Sequence, residues 1–114
     1  MLRSPEGRVN VMRIVFINPP KTDRDRENIS PPLGLLKLAA VAAKLGSDIC
    51  IEDFNLLWHL DSKLKASFYE RATERLIADD AALYCFTSMA VDTHISIELA
   101  RRLREAKPSA RIWQ

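Results

Sequence analysis

At 114 residues the chain has room for one small domain, able to bury roughly two-thirds of the surface its unfolded form exposes, and no room for two cores. Apolar residues make up 47% of it, yet no apolar run approaches the ~20 residues needed to cross a bilayer, and Met1–Val11 lacks the apolar centre of a signal peptide. The formal net charge is only +2, with Lys and Arg spread among the acids, so composition argues against nucleic-acid and membrane partners and for a cytoplasmic protein.

Met1–Val11 (MLRSPEGRVNV) is polar, and it is expected to be a disordered N-terminal tail before a domain over 12–114. Arg13–Ile17 is β-branched or aromatic after its first residue and reads as a buried parallel strand. Asn18-Pro19-Pro20 ends it. A polar loop follows, and Ser30-Pro31-Pro32-Leu33-Gly34 opens a helix, with Ser30 as candidate cap and Gly46 where a left-handed residue ends helices. From Pro32 to Leu45 the only charges are Lys37 and Lys44, two turns apart. They leave a wide apolar surface, Leu36 included, expected to lie on a sheet.

Asp48–Asp53 (DICIED) is a second strand. From about Ser62 to Ala78, Leu64, Phe68, Ala72 and Leu76 recur every four residues and predict an amphipathic helix. Ala81–Phe86 (AALYCF) is a third, apolar strand, and Thr87-Ser88-Met89 is the loop after it. A helix from Asp92 or Thr93 to Ala106 places Ile95, Leu99, Leu103 and Ala106 on one side, and Pro108 ends it. Its Arg101-Arg102-Leu103-Arg104 cluster sits beside Glu98 and Glu105 and reads as a solvated face. Arg111-Ile112-Trp113 begins a fourth strand.

The order βαβαβα plus a strand implies a parallel sheet with right-handed crossovers. The fold class expected is α/β: a flavodoxin-like (Rossmann-like) parallel sheet with flanking helices, incomplete at the C-terminal side, the third strand being left short of a neighbour. In such sheets ligands bind outside the carboxyl ends of the strands, where the loops after Ile17, Asp53 and Phe86 fall.

Several chemistries are excluded by what those loops lack. Without CxxC or CxxxCxxC, Cys50 and Cys85 cannot hold a zinc ribbon or an iron–sulfur cluster, and both read as reduced thiols packed in apolar surroundings. His59 and His94 have no metal partner at ligand spacing. No glycine precedes Gly34 in the first loop, so Asp53 lacks the fingerprint of a dinucleotide site; a P-loop and a G-x-S-x-G elbow are also missing. A receiver domain needs an acid ending the first strand and a phosphoacceptor Asp ending the third, where this chain has Asn18 and Phe86.

The strings RIVFINPP, PPLGLLKLAAVAAKLG and ICIEDFN, with the looser FTSM and KPSARI, resemble the N-terminal cobalamin-binding domain of B12-dependent radical S-adenosylmethionine enzymes over about residues 12 to 113. The resemblance implies a truncated cobalamin-binding-type domain, inert by itself, in a family where cobalamin commonly carries a methyl group. It implies cobalamin as small-molecule cofactor, approached by Asn18, Pro19, Pro20, Asp53, Thr87, Ser88 and Met89. The [4Fe-4S] cluster and S-adenosylmethionine would belong only to a downstream domain, and this chain would hold no catalytic residues and no metal ligand. Many cobalamin modules carry Asp-x-His-x-x-Gly after the first strand, the histidine ligating cobalt. Here Lys21–Asn28 contains no histidine, and the Gly-Gly turn and fifth strand are not in the sequence. The alternative is a non-catalytic flavodoxin-like interaction module, self-associating or pairing with a partner chain through an open sheet edge.

Overall fold

The computed structural model describes residues 2–3, 9–22, 31–61, 65–87 and 93–114. The central sheet contains β3 (Arg13–Asn18), β4 (Asp48–Asp53), β5 (Leu83–Phe86) and β6 (Arg111–Trp113), all parallel, in the order β4-β3-β5-β6. This is the order of the first four strands of a flavodoxin-like sheet, so the expected fold class holds. β5 lies between β3 and β6, and the outer strands are β4 and β6; the third strand is not the open edge.

A separate two-strand antiparallel ladder joins β1 (Leu2–Arg3) to β2 (Val9–Asn10). Two residues a side are too few for any periodicity to register.

Helix α1 (Leu33–Lys44) links β3 to β4, α2 (Phe54–Leu60) and α3 (Phe68–Asp79) link β4 to β5, and α4 (Thr93–Ala106) links β5 to β6. The cap expected at Ser30 lies outside the described residues; Pro32 is the residue before α1, and its carbonyl accepts from Leu36 N at 2.9 Å. At the other end Gly46 adopts φ 92°, with Gly46 N donating to Ala43 O and Ser47 N to Ala42 O. These are the two bonds of a Schellman motif, whose left-handed residue is favoured as glycine. The helix predicted from Ser62 begins at Phe68, and Leu64 lies outside the described residues. α2 was not predicted at all.

Side chains alternate across each strand, so register partners define two faces. Val15, Ile17, Tyr84 and Phe86 point to α2, α3 and α4, where they pack with Phe54, Leu76 and Leu99. Tyr84 is fully buried; its hydroxyl donates to Leu76 O at 2.8 Å and accepts from Ala81 N at 3.1 Å. Edge-on rings of Phe54 and Trp58 against Phe68, 5.8 and 5.4 Å between centroids, pin α2 to α3.

Ile14, Phe16 and Cys85 point the other way, to α1, which covers them with Leu35 and Ala39. The wide apolar surface of α1 is therefore only partly used. Leu35 is 2% exposed but Leu36 38%, Val41 56% and Leu45 71%. An apolar pattern reports which residues would gain from burial, whereas how many are buried depends on what packs there, and α1 lies alone on its face among the described residues.

Candidate functional site

The carboxyl ends of β3, β4 and β5 bring three of the sequence-predicted residues into one hydrogen-bonded group. Asn18 and Asp53 are the last residues of β3 and β4 and register partners. Asn18 Nδ2 donates to Asp53 Oδ1 at 3.0 Å, and the same oxygen accepts from Leu56 N at 3.1 Å, capping α2. Asp53 thus ends a strand, starts a helix and holds the neighbouring strand's amide. Thr87, just past β5, donates its backbone N–H to Ile17 O at 3.0 Å. Its Oγ1 lies 3.2 Å from the same carbonyl and 3.5 Å from Asn18 Oδ1, and its single proton can serve only one of them at a time.

Pro19 and Pro20 are fully buried, so they stiffen the turn from inside instead of presenting an open surface. Ser88 and Met89 lie outside the described residues.

Two residues that sequence reasoning missed hold this group from behind. Asn55, 4% exposed, accepts from Lys21 N through Oδ1 at 2.7 Å and so fastens the chain just after the proline pair to α2. Ser96, 1% exposed, donates to Thr87 O at 3.2 Å from the first turns of α4. Asn55 was discoverable: Asp53 followed by an apolar run is a cap signal, and it places Asn55 in the first turn. Ser96 carries no such mark.

An amide, a carboxylate, a hydroxyl and strand-end carbonyls can donate to and accept from the amide, hydroxyl and phosphate groups of a large polar-rimmed ligand. They contain no nucleophile paired with a base. Among the described residues no group of three His, Cys, Asp or Glu is placed to hold a metal ion, and no helix is long and apolar enough to cross a membrane.

The other chemistry-bearing residues fall elsewhere. His94, at the start of α4, is exposed, and His59 is half-buried on α2 with an Nε2 that has no hydrogen-bond partner among the described residues. Cys85 is buried under α1 and Cys50 half-buried on β4; both are free thiols, pushed up from their ordinary pKa by burial. On α4, Arg101 pairs with Glu98 at 2.7 Å and Glu105 at 2.6 Å, and Arg102 with Glu98 at 3.0 Å. The flanking arginines hold the Glu98 carboxyl down at about 2. Two cavities of about 300 Å³ lie in the helical layer, one beside Trp58, Tyr69 and Arg102, the other beside Leu57, Arg71 and Arg75.

The fold and this group of residues define a parallel α/β domain with a polar cluster at its carboxyl edge. Comparison with family models, curated proteins and solved structures finds no match.

Proposed function

We propose that the carboxyl edge of the sheet is a cobalamin-binding-type site, and that the chain is the cofactor-holding part of a B12-dependent radical S-adenosylmethionine enzyme. The observation that carries the reading is the junction of Asn18, Asp53 and Thr87 at the ends of adjacent strands, where a flavodoxin-like sheet binds its ligand. The resemblance of the strings around Asn18-Pro19-Pro20 and Pro31-Pro32-Leu33-Gly34 supplies the ligand's identity. In this reading Asn18, Asp53 and Thr87 meet the amide and nucleotide groups of the ligand rim, and the buried prolines keep the first loop from shifting. Cobalt receives no protein ligand from Lys21–Asn28, because no histidine is there. The chain performs no reaction by itself; the iron–sulfur cluster and S-adenosylmethionine belong to another domain.

The test is an absorbance and equilibrium-dialysis titration with hydroxocobalamin, alongside a Ser88→Trp variant that fills the third loop with an indole. Weak binding that the variant abolishes, with no spectral sign of a histidine on cobalt, is the expected result. Absence of binding at millimolar ligand, or binding untouched by Ser88→Trp, overturns the reading.

One observation favours a second function, that of an interaction module. The α1 face leaves Leu33, Leu38, Val41 and Leu45 exposed, and Trp113, whose register partner Cys85 points to that face, is 61% exposed on outer strand β6. Exposed apolar surface beside an outer strand suits self-association or a partner chain. Size-exclusion chromatography with light scattering separates the readings, since a monomer at high concentration counts against this one.

A further inference from the structure

Four strands about 4.8 Å apart make a sheet roughly 19 Å wide, and a helix with its side chains is about 10 Å across, so each face has room for two helices side by side. On one face α3 and α4 fill that width. On the other, α1 lies alone among the described residues, packed through Leu35 and Ala39 on Ile14, Phe16 and Cys85. Successive residues of a helix turn by about 100°, which sets Leu38, Val41 and Leu45 on one flank of α1 and Leu36, Ala40 and Ala43 on the other. α1 runs antiparallel to the strands in a right-handed crossover from β3 to β4. The Leu38 flank therefore turns toward β5 and β6, and the Leu36 flank toward outer strand β4.

Leu38, Val41 and Leu45 are 49%, 56% and 71% exposed, and Trp113 on β6 lies on the same face as its register partner Cys85. Together they line an open groove, with α1 as one wall and the strip of sheet over β5 and β6 as floor. Its rims carry one sign of charge. Lys37 and Lys44 project from α1 and Arg111 from β6, on the same face as its register partner Leu83, and all three are exposed. α1, β5 and β6 contain no acid. Two copies meeting through this face would set cations against cations, which disfavours a second copy of the chain as occupant. A flat lipid surface would meet Lys37 and Lys44, which lie opposite Leu35 on α1, before it reached the recessed flank.

We propose that this groove takes an amphipathic helix of a partner protein, laid beside α1 with its apolar stripe on Leu38, Val41, Leu45 and Trp113 and with acidic residues along its edges facing Lys37, Lys44 and Arg111. The proposal rests on the interaction-module reading of the α1 face, to which it adds the partner's shape and charge, and it leaves the carboxyl edge free. α1 has 12 residues and is about 18 Å long, so the groove matches about three turns of a partner helix. Recognition of a helix in a groove takes its affinity from apolar anchors at i, i+3, i+4 and i+7 and its selectivity from charges at the rim.

The test is a titration of the chain with two synthetic peptides of about 16 residues, one with leucines at those spacings and glutamates along the edges, the other with lysines in place of the glutamates. Fluorescence anisotropy of a label on the peptide should show the glutamate peptide binding roughly tenfold or more tighter than the lysine peptide, with the gap narrowing as salt is added. Val41→Glu should remove most of that binding, while Leu36→Glu, on the other flank, keeps it; both positions are exposed, so both variants should retain a cooperative thermal transition. Equal affinity for the two peptides overturns the acidic helix but leaves the α1 face an interface. Binding of neither peptide overturns the proposal alone where light scattering shows a self-associated protein, and the interaction-module reading with it where the protein is a monomer. Equal loss in the two variants, or uptake onto anionic vesicles in place of peptide binding, also overturns the proposal. Should either variant fail to fold, the charge contrast in the parent protein decides.

Discussion

The two faces of the sheet use the same strands and reach different degrees of burial. On the three-helix face, fourteen buried side chains from α2, α3, α4, the strands and the turns before β5 and β6 form one cluster. On the α1 face only five do, although α1 is the more apolar helix by sequence. Apolarity is a property of the helix alone, but burial needs a second surface. The four-residue spacing of Phe68, Ala72 and Leu76 matches what packs on it, whereas the breadth of the α1 stripe exceeds what its face covers.

The comparison is sharpened most by a charge placed on each apolar position. Leu35→Asp buries a carboxylate with no partner, costing several kcal/mol out of a total of ~5–15, and should abolish the cooperative thermal transition. Leu36→Asp, on a residue 38% exposed, should leave that transition in place. Equal loss in both variants breaks the account of a half-used α1.

Next come truncations in the thicker core. Leu99→Ala, at a fully buried position, should cost ~3 kcal/mol in urea unfolding, while Leu38→Ala should stay within about 0.5. Tyr84→Phe strips the Ala81 N–H of its acceptor and should cost ~1–3 kcal/mol with little change in volume.

Asp53→Ala removes both the α2 cap and the bond to Asn18, and a loss of ~1–2 kcal/mol is expected in the same assay. Asp53→Asn, which can still cap, should recover part of it.

The smallest effect is expected at Glu98. Its lowered carboxyl contributes above its ordinary 4.5 and loses the contribution as pH falls through about 2, but the group is exposed and screened. Glu98→Ala should shift the melting temperature slightly, and added salt should erase the difference.

How much of this was legible depends on whether the signal was local. The strand at Arg13 showed itself because every residue from Ile14 to Asn18 is buried and β-branched or aromatic residues dominate it. Helix α2 did not, because Phe54–Leu60 is seven residues, apolar nearly all round, and has no period to read. Asn18, Asp53 and Thr87 were found together because a parallel sheet places successive strand ends side by side. The Glu52–Arg75 ion pair was out of reach, since it arises only when α3 returns along the sheet beside β4. Ser96 likewise acquires its role from a backbone carbonyl that the fold brings to it, whereas Asn55 follows a cap signal that the sequence does show.

The central claim is that the polar junction at the carboxyl edge, and not the exposed α1 face, meets the ligand. An ¹⁵N–¹H NMR titration with hydroxocobalamin tests it most directly, because every amide reports separately. The account predicts that the Asn18, Asp53 and Thr87 amides shift first and saturate together while those of Val41, Leu45 and Trp113 stay in place. Shifts confined to α1 and Trp113, or no shift at the junction with ligand at millimolar concentration, would contradict it.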